Sequence, residues 1–440
     1  MSKINWEDGL ALERDCAIIL REQEENGVYF DTELAYKLIN NLEEIKLSLE
    51  TLIRPYIKPI VSQIGTVVSK VYLKNGDYNS SILKHYPEDY FNVEGPFSRI
   101  EILNPDISQR KVLIDQLLSR GWKPTLFTEK GFPKLTDKGE PVETLLQVGD
   151  FGKSLSSWYV YSHRQSQIQG FLQYVRDDHR IPASISSCAT NTFRAAHRIV
   201  ANIPRPGSVF GKEMRSLFSV PKGRKFVGAD LSGLEARMLC HHMNDSEYTN
   251  QLLNGDIHEF NRIKAGLPTR DNAKTFFYGF LYGSGDKKTG SIIGKGAKEG
   301  KEIKEIFFKE IPSLSKLINK VKSFAERTGY LPSIDGRKIY IRSYEGRLLI
   351  HTALNCLLQA NGSIVAKRAM KIANDRIKEL GLDAFQIIFY HDEFAYDSAE
   401  ECAEEVGKIL VDSMRLAGEY YNLRIPIDGE YGIGDNWGIH

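Results

Sequence analysis

Arg270, Lys274, Tyr278 and Tyr282 stand at four-residue steps within Arg270-Asp271-Asn272-Ala273-Lys274-Thr275-Phe276-Phe277-Tyr278-Gly279-Phe280-Leu281-Tyr282-Gly283. Read as a helix, each step drifts only about 40° around the axis. The four side chains then form one slowly winding stripe, two cations followed by two aromatics. A triphosphate with a base attached needs that order, charge at one end and a stacking platform at the other. A surface helix with a partly buried aromatic edge has the same pattern, so the stripe alone leaves both readings open. Two acidic motifs shift the balance. Upstream, the apolar run Lys225-Phe226-Val227-Gly228-Ala229 ends in Asp230 and passes into a helix-like segment, Leu231-Ser232-Gly233-Leu234-Glu235-Ala236-Arg237. Downstream, Asp392 and Glu393 sit between two β-prone runs in Phe385-Gln386-Ile387-Ile388-Phe389-Tyr390-His391-Asp392-Glu393-Phe394-Ala395-Tyr396, which reads as a hairpin with its acids at the turn. Asp230 and Asp392 are 162 positions apart, so only a fold brings them together. Carboxylates at strand ends are the hard oxygen ligands that Mg²⁺ prefers, completed by substrate phosphates. Two such ions can clamp the attacking and leaving oxygens of an in-line phosphoryl displacement. A single acid after a strand is more often a turn or N-cap residue; three motifs in this order argue against that simpler reading.

With these motifs the chain resembles family A (polymerase-I-like) DNA polymerases, in particular the replicative enzymes of podophage type. Asp230-Leu231-Ser232-Gly233-Leu234-Glu235-Ala236-Arg237 is similar to the family's motif A, Arg270 to Gly283 to motif B, and His391-Asp392-Glu393 to motif C. The similarity continues in Leu253-Asn254-Gly255-Asp256-Ile257-His258, in His351-Thr352-Ala353-Leu354-Asn355-Cys356-Leu357-Leu358-Gln359, and in the ending Asp435-Asn436-Trp437-Gly438-Ile439-His440, which implies a complete C-terminal end. The resemblance implies an α+β right-hand fold: a thumb, a palm with an antiparallel sheet, and helical fingers. It places the thumb at 1–175, with 56–100 as a thumb tip or partner-docking insertion, the palm at 176–240 and 351–440, and the fingers at 241–350.

It also implies roles. Asp230, Asp392 and the carbonyl of Leu231 would hold two Mg²⁺ ions, with Mn²⁺ as a substitute. Glu393 would assist near the primer end. Arg270, Lys274 and His258 would bind the phosphates of a dNTP, and Lys274 would also protonate the leaving group. Tyr278 would lie against the incoming sugar, and Tyr282 with Gly283 would stack on the templating pair. Glu235 would sit under the sugar C2′ with Tyr282, so that a ribose 2′-hydroxyl collides with it. Arg194, His351, Asn355, Gln359 and His391 would contact primer–template DNA; minor-groove acceptors there occur in every base pair. The implied activity is template-directed DNA synthesis by two-metal nucleotidyl transfer, in phage genome replication. The competing readings are a non-catalytic polymerase-like DNA-binding subunit, which should lack Asp230, Asp392 or Lys274, and a gap-filling repair polymerase, which uses the same chemistry. A single-subunit RNA polymerase would lack the Glu235-type gate.

The chain departs from the family at three places. Leu231 follows the motif A acid where many relatives have an aromatic. Phe193 fills the middle of Thr192-Phe193-Arg194, where the family usually has Gly. Residues 56–100 are shorter and poorer in lysine than the segment that recruits a processivity partner in podophage enzymes, which argues against a thioredoxin-type factor. Polymerases of this branch usually carry an N-terminal proofreading exonuclease. Thumb-like sequence here begins close to Met1, so the expectation is an exonuclease-deficient chain served by a separate exonuclease or another replisome protein, or a fragment of a longer polymerase. Phe30-Asp31-Thr32-Glu33-Leu34 imitates an exonuclease Asp-x-Glu motif but falls where thumbs have a Gly-x-x-x-Asp turn.

The general features agree. A chain of 440 residues exceeds one typical domain. Charged residues make up 26% and the net charge is +1, which permits a basic cleft balanced by an acidic exterior. No apolar run approaches the roughly 18 residues of a membrane span, and Met1-Ser2-Lys3-Ile4-Asn5-Trp6 is not a signal peptide. Five scattered cysteines fit reduced thiols in a host-cell cytoplasm. Apolar spacing predicts two helices over about residues 8–55, joined around Gly27–Asp31, and helices near 108–120 and 141–175. Strand-like pieces are expected at Thr66-Val67-Val68 and Lys70-Val71-Tyr72-Leu73, with a turn at Asn75-Gly76-Asp77. Gly290 to Lys295 and Gly296 to Lys301 resemble a P-loop but are one residue short between the glycines. Cys240-His241-His242 is a poor metal motif, because consecutive helical residues point apart.

Overall fold

A strand with no polar side chain from Phe226 to Ala229 can sit buried on both faces, and this one forms the middle of the main sheet. The computed structural model of the protein describes residues 5–63, 70–85, 100–128, 130–137 and 140–439. Four antiparallel strands, β1 (Arg224–Leu231), β2 (Ala384–Tyr390), β3 (Glu393–Ala399) and β4 (Gly429–Gly434), pair in the order β2-β3-β1-β4. The register sets Asp230 of β1 opposite Glu393 of β3 and Glu430 of β4.

The chain enters this unit through α1 (Trp6–Asn26), capped by Asn5, whose side chain accepts from the Glu7 and Asp8 N–H groups while Asp8 returns a bond to the Asn5 N–H. Its buried stripe, Leu12, Cys16, Ile19 and Leu20, has helical spacing and belongs to the same core as Val227 and Ala229 of β1. After β1 the backbone turns at Gly233, φ 59°, into α2 (Leu234–Met243). Next come α3 (Ile257–Ala265) and α4 (Arg270–Leu281). The long α5 (Ala353–Glu379) packs on α6 (Ala403–Tyr420), and α6 lies on β1 and β4.

The chain divides into two compact units, Met1–Thr32, Phe171–Pro206 and Glu213–His440 in one, Glu33–Gly170 and Gly207–Lys212 in the other. The expected first domain, 1–175, is therefore not one compact piece: its first helix spends its apolar stripe on the core of the sheet. The joint expected around Gly27–Asp31 is a short strand, Val28–Phe30, paired with Arg180–Ile181 and Phe218–Ser219. The second unit has its own core of Ile53, Leu113, Leu117, Trp122, Leu145, Phe151 and Leu155. The helices Thr32–Ile53, Arg110–Ser119 and Gly149–Leu172 carry most of it. The strand expected at Lys70–Leu73 is a correction. Tyr72 makes a single bridge to Tyr78, across a turn in which the Gly76 N–H donates to the Leu73 carbonyl. Gly76, at φ 91°, suits that tight reversal. Thr66-Val67-Val68 lies outside the described residues. The Gly290 stretch is no phosphate loop: Gly290 lies within a helical turn, and a Cβ there would sit 1.8 Å from the Gly296 carbonyl oxygen. Among the described residues no helix is long and apolar enough to cross a membrane.

Candidate active site

The acids meet at one end of the sheet. The β2–β3 turn reverses at His391, φ 63°, and the Leu231 N–H donates to the Asp392 carbonyl across 3.2 Å. That bond makes neighbours of the ends of β1 and β3. Burial pushes the Asp230 carboxyl up to about 7, helped by the negative charges of Asp392 and Glu393. Burial also pushes Asp392 up to about 6, with Glu235 adding to it. Crowded carboxylates that hold protons this tightly are a site a divalent cation would relieve. The donor set fits such an ion only in part: no group of three or more His, Cys, Asp or Glu side chains gathers among the described residues. Carbonyl oxygens and substrate phosphates would have to complete the shell, as is usual for Mg²⁺.

Glu393 lies directly opposite Asp230 in the register, on the same face of the sheet, but it has partners of its own: its buried carboxylate accepts from the Trp437 indole N–H and lies 3.6 Å from Arg215. The Arg215 guanidinium in turn covers the Trp437 ring at 4.6 Å. Glu393 is thus fixed in a wall with Trp437 and Arg215 beside Asp230. Leu231 has a buried side chain, and its backbone is the part that adjoins Asp392.

Glu235, in the first turn of α2, gathers two further predicted residues. Its Oε1 accepts from Arg194 Nη2 at 2.6 Å and from the Tyr282 hydroxyl at 3.1 Å. Burial, with Glu235 next, pushes the Tyr282 hydroxyl up to about 12. Arg194, Glu235, His391 and Asp392 line one small cavity. His391 packs edge-on against His197, ring centroids 5.2 Å apart. Burial, then Arg194, lowers the pKa of the His391 imidazole.

The α4 stripe emerges as expected from its two faces. Thr269 caps the helix by accepting from the Asn272 N–H at 3.1 Å. Ala273, Phe276, Phe277 and Leu281 are buried, and Arg270, Lys274 and Tyr278 are exposed. Arg270 Nε lies 2.6 Å from an Asp256 carboxylate oxygen. Asp256 is the N-cap of α3, accepting from the N–H groups of His258 and Glu259. Arg270, then those amides, hold its pKa down to about 2. The His258 ring stands 5.8 Å from that of Tyr278, with a buried Nδ1 that lacks a hydrogen-bond partner. Burial and the cations Arg270 and Lys274 lower its pKa. Gly283 takes φ 76° just past the helix, a conformation glycine adopts freely. The motifs give Asp256 no role of its own, although Gly255-Asp256 directly before a helical run signals the cap.

Of the residues expected to touch DNA, Arg194 and His391 line the small cavity with Asp392, and the other three lie on or just before α5. Asn355 donates from Nδ2 to the Leu281 carbonyl at 2.8 Å, capping the C-terminal end of α4. Gln359 follows one turn later, half-buried, and His351 is exposed in the short turn Ile350–Thr352. Of the Cys240-His241-His242 motif, His242 Nε2 is 2.7 Å from Asn361 Nδ2, and His241 Nδ1 accepts from the Arg424 N–H.

The sequence model of DNA polymerase family A matches residues 108–439. The chain is 31% identical to the DNA-directed DNA polymerase of Enterobacteria phage T3, across 98% of this chain and 70% of that protein. It is 33% identical to the DNA-directed DNA polymerase of Escherichia phage T7, across 78% of this chain and 54% of that one. The polymerase domain of Pol1 from M. smegmatis, solved with DNA primer-template and dNTP, shares the fold at a TM-score of 0.77 and 20% identity, over 97% of this chain and 70% of that chain.

Proposed function

The chain belongs to DNA polymerase family A, and from that premise we propose that it is a template-directed DNA polymerase that extends a primer 3′-hydroxyl with dNTPs in phage genome replication. The observation that carries this reading is the convergence of Asp230 and Asp392 at one sheet end, next to the Glu235–Tyr282 contact that ties the start of α2 to the end of α4. Family A polymerases depend on metal. Two Mg²⁺ ions, held by Asp230, Asp392 and the Leu231 carbonyl, would when bound lower the pKa of the 3′-hydroxyl and neutralise charge on the pyrophosphate. The primer oxygen attacks the α-phosphorus, the bond to the bridging oxygen breaks, and pyrophosphate leaves.

The protein groups each have a place in that reaction. Arg270 and Lys274, one helical turn apart on the exposed face of α4, pair with the β- and γ-phosphates. Arg270 exchanges Asp256 for phosphate as it does so. Lys274 gives a proton to the departing pyrophosphate, and His258 adds a phosphate contact through the same face. Tyr278 lies against the deoxyribose. Glu235, fixed between Arg194 and Tyr282, leaves no room for a 2′-hydroxyl. Arg194, His351, Gln359 and His391 face the primer–template duplex, and Asn355 does so while anchoring α4. Glu393 acts through the wall it forms with Trp437 and Arg215.

The test is extension of a labelled primer on a DNA template with Mg²⁺, using dNTPs, rNTPs or no nucleotide, for the wild type and Asp392→Ala. Extension by the wild type with dNTPs alone, and none by Asp392→Ala despite retained duplex binding, is the expected result. Extension by the variant would overturn the site, and primer shortening without nucleotide would place an exonuclease in this chain.

A further inference from the structure

Phe193 holds a backbone conformation that a side chain of its kind rarely takes, φ 57°, and three sequence-distant segments gather about it. Its carbonyl accepts from Lys367 Nζ at 2.7 Å and from Ser363 Oγ at 3.0 Å. Its ring lies 4.2 Å beneath the Arg337 guanidinium. Lys367 is fully buried on α5 and spends its other donors on both Glu13 oxygens, at 2.6 and 2.7 Å. Glu13, on α1, also accepts from Arg337 Nη1 at 2.8 Å. Gly9 makes room for that arginine, since a Cβ there would lie 2.7 Å from Arg337 Nε. The next residue after Phe193 is Arg194, whose N–H donates to Thr190 Oγ1 and whose guanidinium reaches Glu235.

We propose that Glu13, Lys367 and Arg337 are positioning residues for sugar selection: they clamp Phe193 in its left-handed conformation so that Arg194 meets Glu235. An ammonium buried without solvent must have all its donors satisfied, and here one of the three acceptors is the Phe193 carbonyl itself. A left-handed turn at a non-glycine residue is unfavourable by itself, so the loop needs this external hold. Where glycine stands in that place no hold is required. The first helix of the chain thereby acts on the site through two intermediaries, Lys367 and Phe193. This inference rests on the polymerase reading above and on Glu235 as the residue that excludes ribose.

The experiment measures kcat and KM for dNTP and rNTP incorporation by the wild type, by Glu13→Gln/Lys367→Met, and by that pair with Phe193→Gly. Removing both charges together avoids leaving one buried ion alone. The double variant is expected to lose about tenfold in dNTP-over-rNTP preference, mainly through a higher dNTP KM. Adding Phe193→Gly should restore most of the preference, because glycine enters the left-handed region without a clamp. It should at the same time lower the melting temperature further, since the ring under Arg337 is gone. Opposite movement of preference and stability is something a merely structural role of Lys367 does not produce. Unchanged preference in the double variant, or no restoration by Phe193→Gly, overturns the proposal. Should the double variant fail to fold, Ser363→Ala removes one hydrogen bond from the same carbonyl; an unchanged preference there overturns it equally. A wild type that extends no primer overturns the polymerase reading, whereas a wild type that extends with an unaffected double variant overturns only this inference.

Discussion

Arg270 Nε and the Asp256 carboxylate lie 2.6 Å apart, the first residue of α4 held by the N-cap of α3. Asp256 therefore does two jobs, satisfying free amides at a helix start and neutralising a cation on the face proposed for phosphates. Asparagine at an N-cap preserves the first job and abolishes the second. Asp256→Asn is expected to lower the KM for dNTP by about threefold, the scale of an exposed ion pair, and to strengthen inhibition by pyrophosphate. Steady-state kinetics at low and high salt check this, with the difference shrinking at high salt. An increased KM would mean that Asp256 orients Arg270 rather than competing for it.

Asp230 and Asp392 give a pH dependence of defined sign. Their carboxyls, at about 7 and about 6, bind protons more tightly in the folded chain than the ordinary carboxylate does when unfolded. Without divalent cation the folded state thus carries more protons between the ordinary carboxylate range and about pH 7. Stability falls as pH rises through that window and is lowest above it. Asp230→Asn should raise the melting temperature at pH 8 in chelator while abolishing extension. Mg²⁺ should raise the melting temperature of the wild type more than that of the variant, and it should move the rise of activity with pH to lower pH, because cation and proton compete. A variant with an unchanged melting temperature in chelator would show that neither burial nor neighbouring charge disfavours the Asp230 carboxylate in the folded chain.

What could be read from the residues followed their periodicity. The apolar run before Asp230 and the β-prone runs around Asp392 became the adjacent strands β1, β2 and β3, and the four-residue stripe of α4 is exposed from Arg270 to Tyr278. What could not be read depended on partners distant in sequence. Glu393 stands next to Asp392 and opposite Asp230, yet its carboxylate is taken up by Trp437, 44 positions on. Asn355 is polar on a helix, which says nothing of the Leu281 carbonyl it meets. The stripe of α1 announces a buried face but not which core receives it, and sheet pairing decided that. Phe193 marks a departure from glycine in the sequence; only its φ shows that the position takes a backbone shape glycine adopts freely and a side chain does not.

A buried carboxylate at the other end of β3 sets the stability of the sheet. Asp397 is fully buried and is paired with Arg180 at 2.7 Å and, more closely still, with Arg224. The two guanidiniums lie over the Phe385 ring at 5.4 and 5.1 Å. Removing the acid leaves Arg180 without its carboxylate and Arg224 with Asp383 alone, in a partly buried place. Asp397→Ala is expected to destabilise the protein by about 3–5 kcal/mol, seen as a lower denaturant midpoint. At temperatures where the variant stays folded, the dNTP KM should be unchanged, since none of these groups lines the candidate site. A midpoint within error of the wild type would show that the arginines find other partners.

Glu235 Oε1 is shared, and the two donors separate by mutation. Tyr282→Phe removes only the 3.1 Å bond and keeps the 2.6 Å contact with Arg194. The hydroxyl it deletes, held up to about 12, is a donor at every working pH, so its loss should be independent of pH. A neutral donor to a charged acceptor is worth about 1.5–3 kcal/mol at most, and its partial exposure reduces that. The expected change is a dNTP KM about threefold higher, with dNTP-over-rNTP preference retained. Glu235→Ala takes the acceptor from both donors, frees Arg194, and opens space where a 2′-hydroxyl would sit. It should lower dNTP efficiency by about tenfold or more and lower the preference against rNTPs more than Tyr282→Phe does. Glu235→Gln keeps the bulk but weakens the hold on Arg194, so it should lose preference on the scale of the Glu13→Gln/Lys367→Met pair and less than Glu235→Ala. If Glu235→Gln instead keeps the full preference, selection depends on the space the side chain fills and not on the Arg194 ion pair.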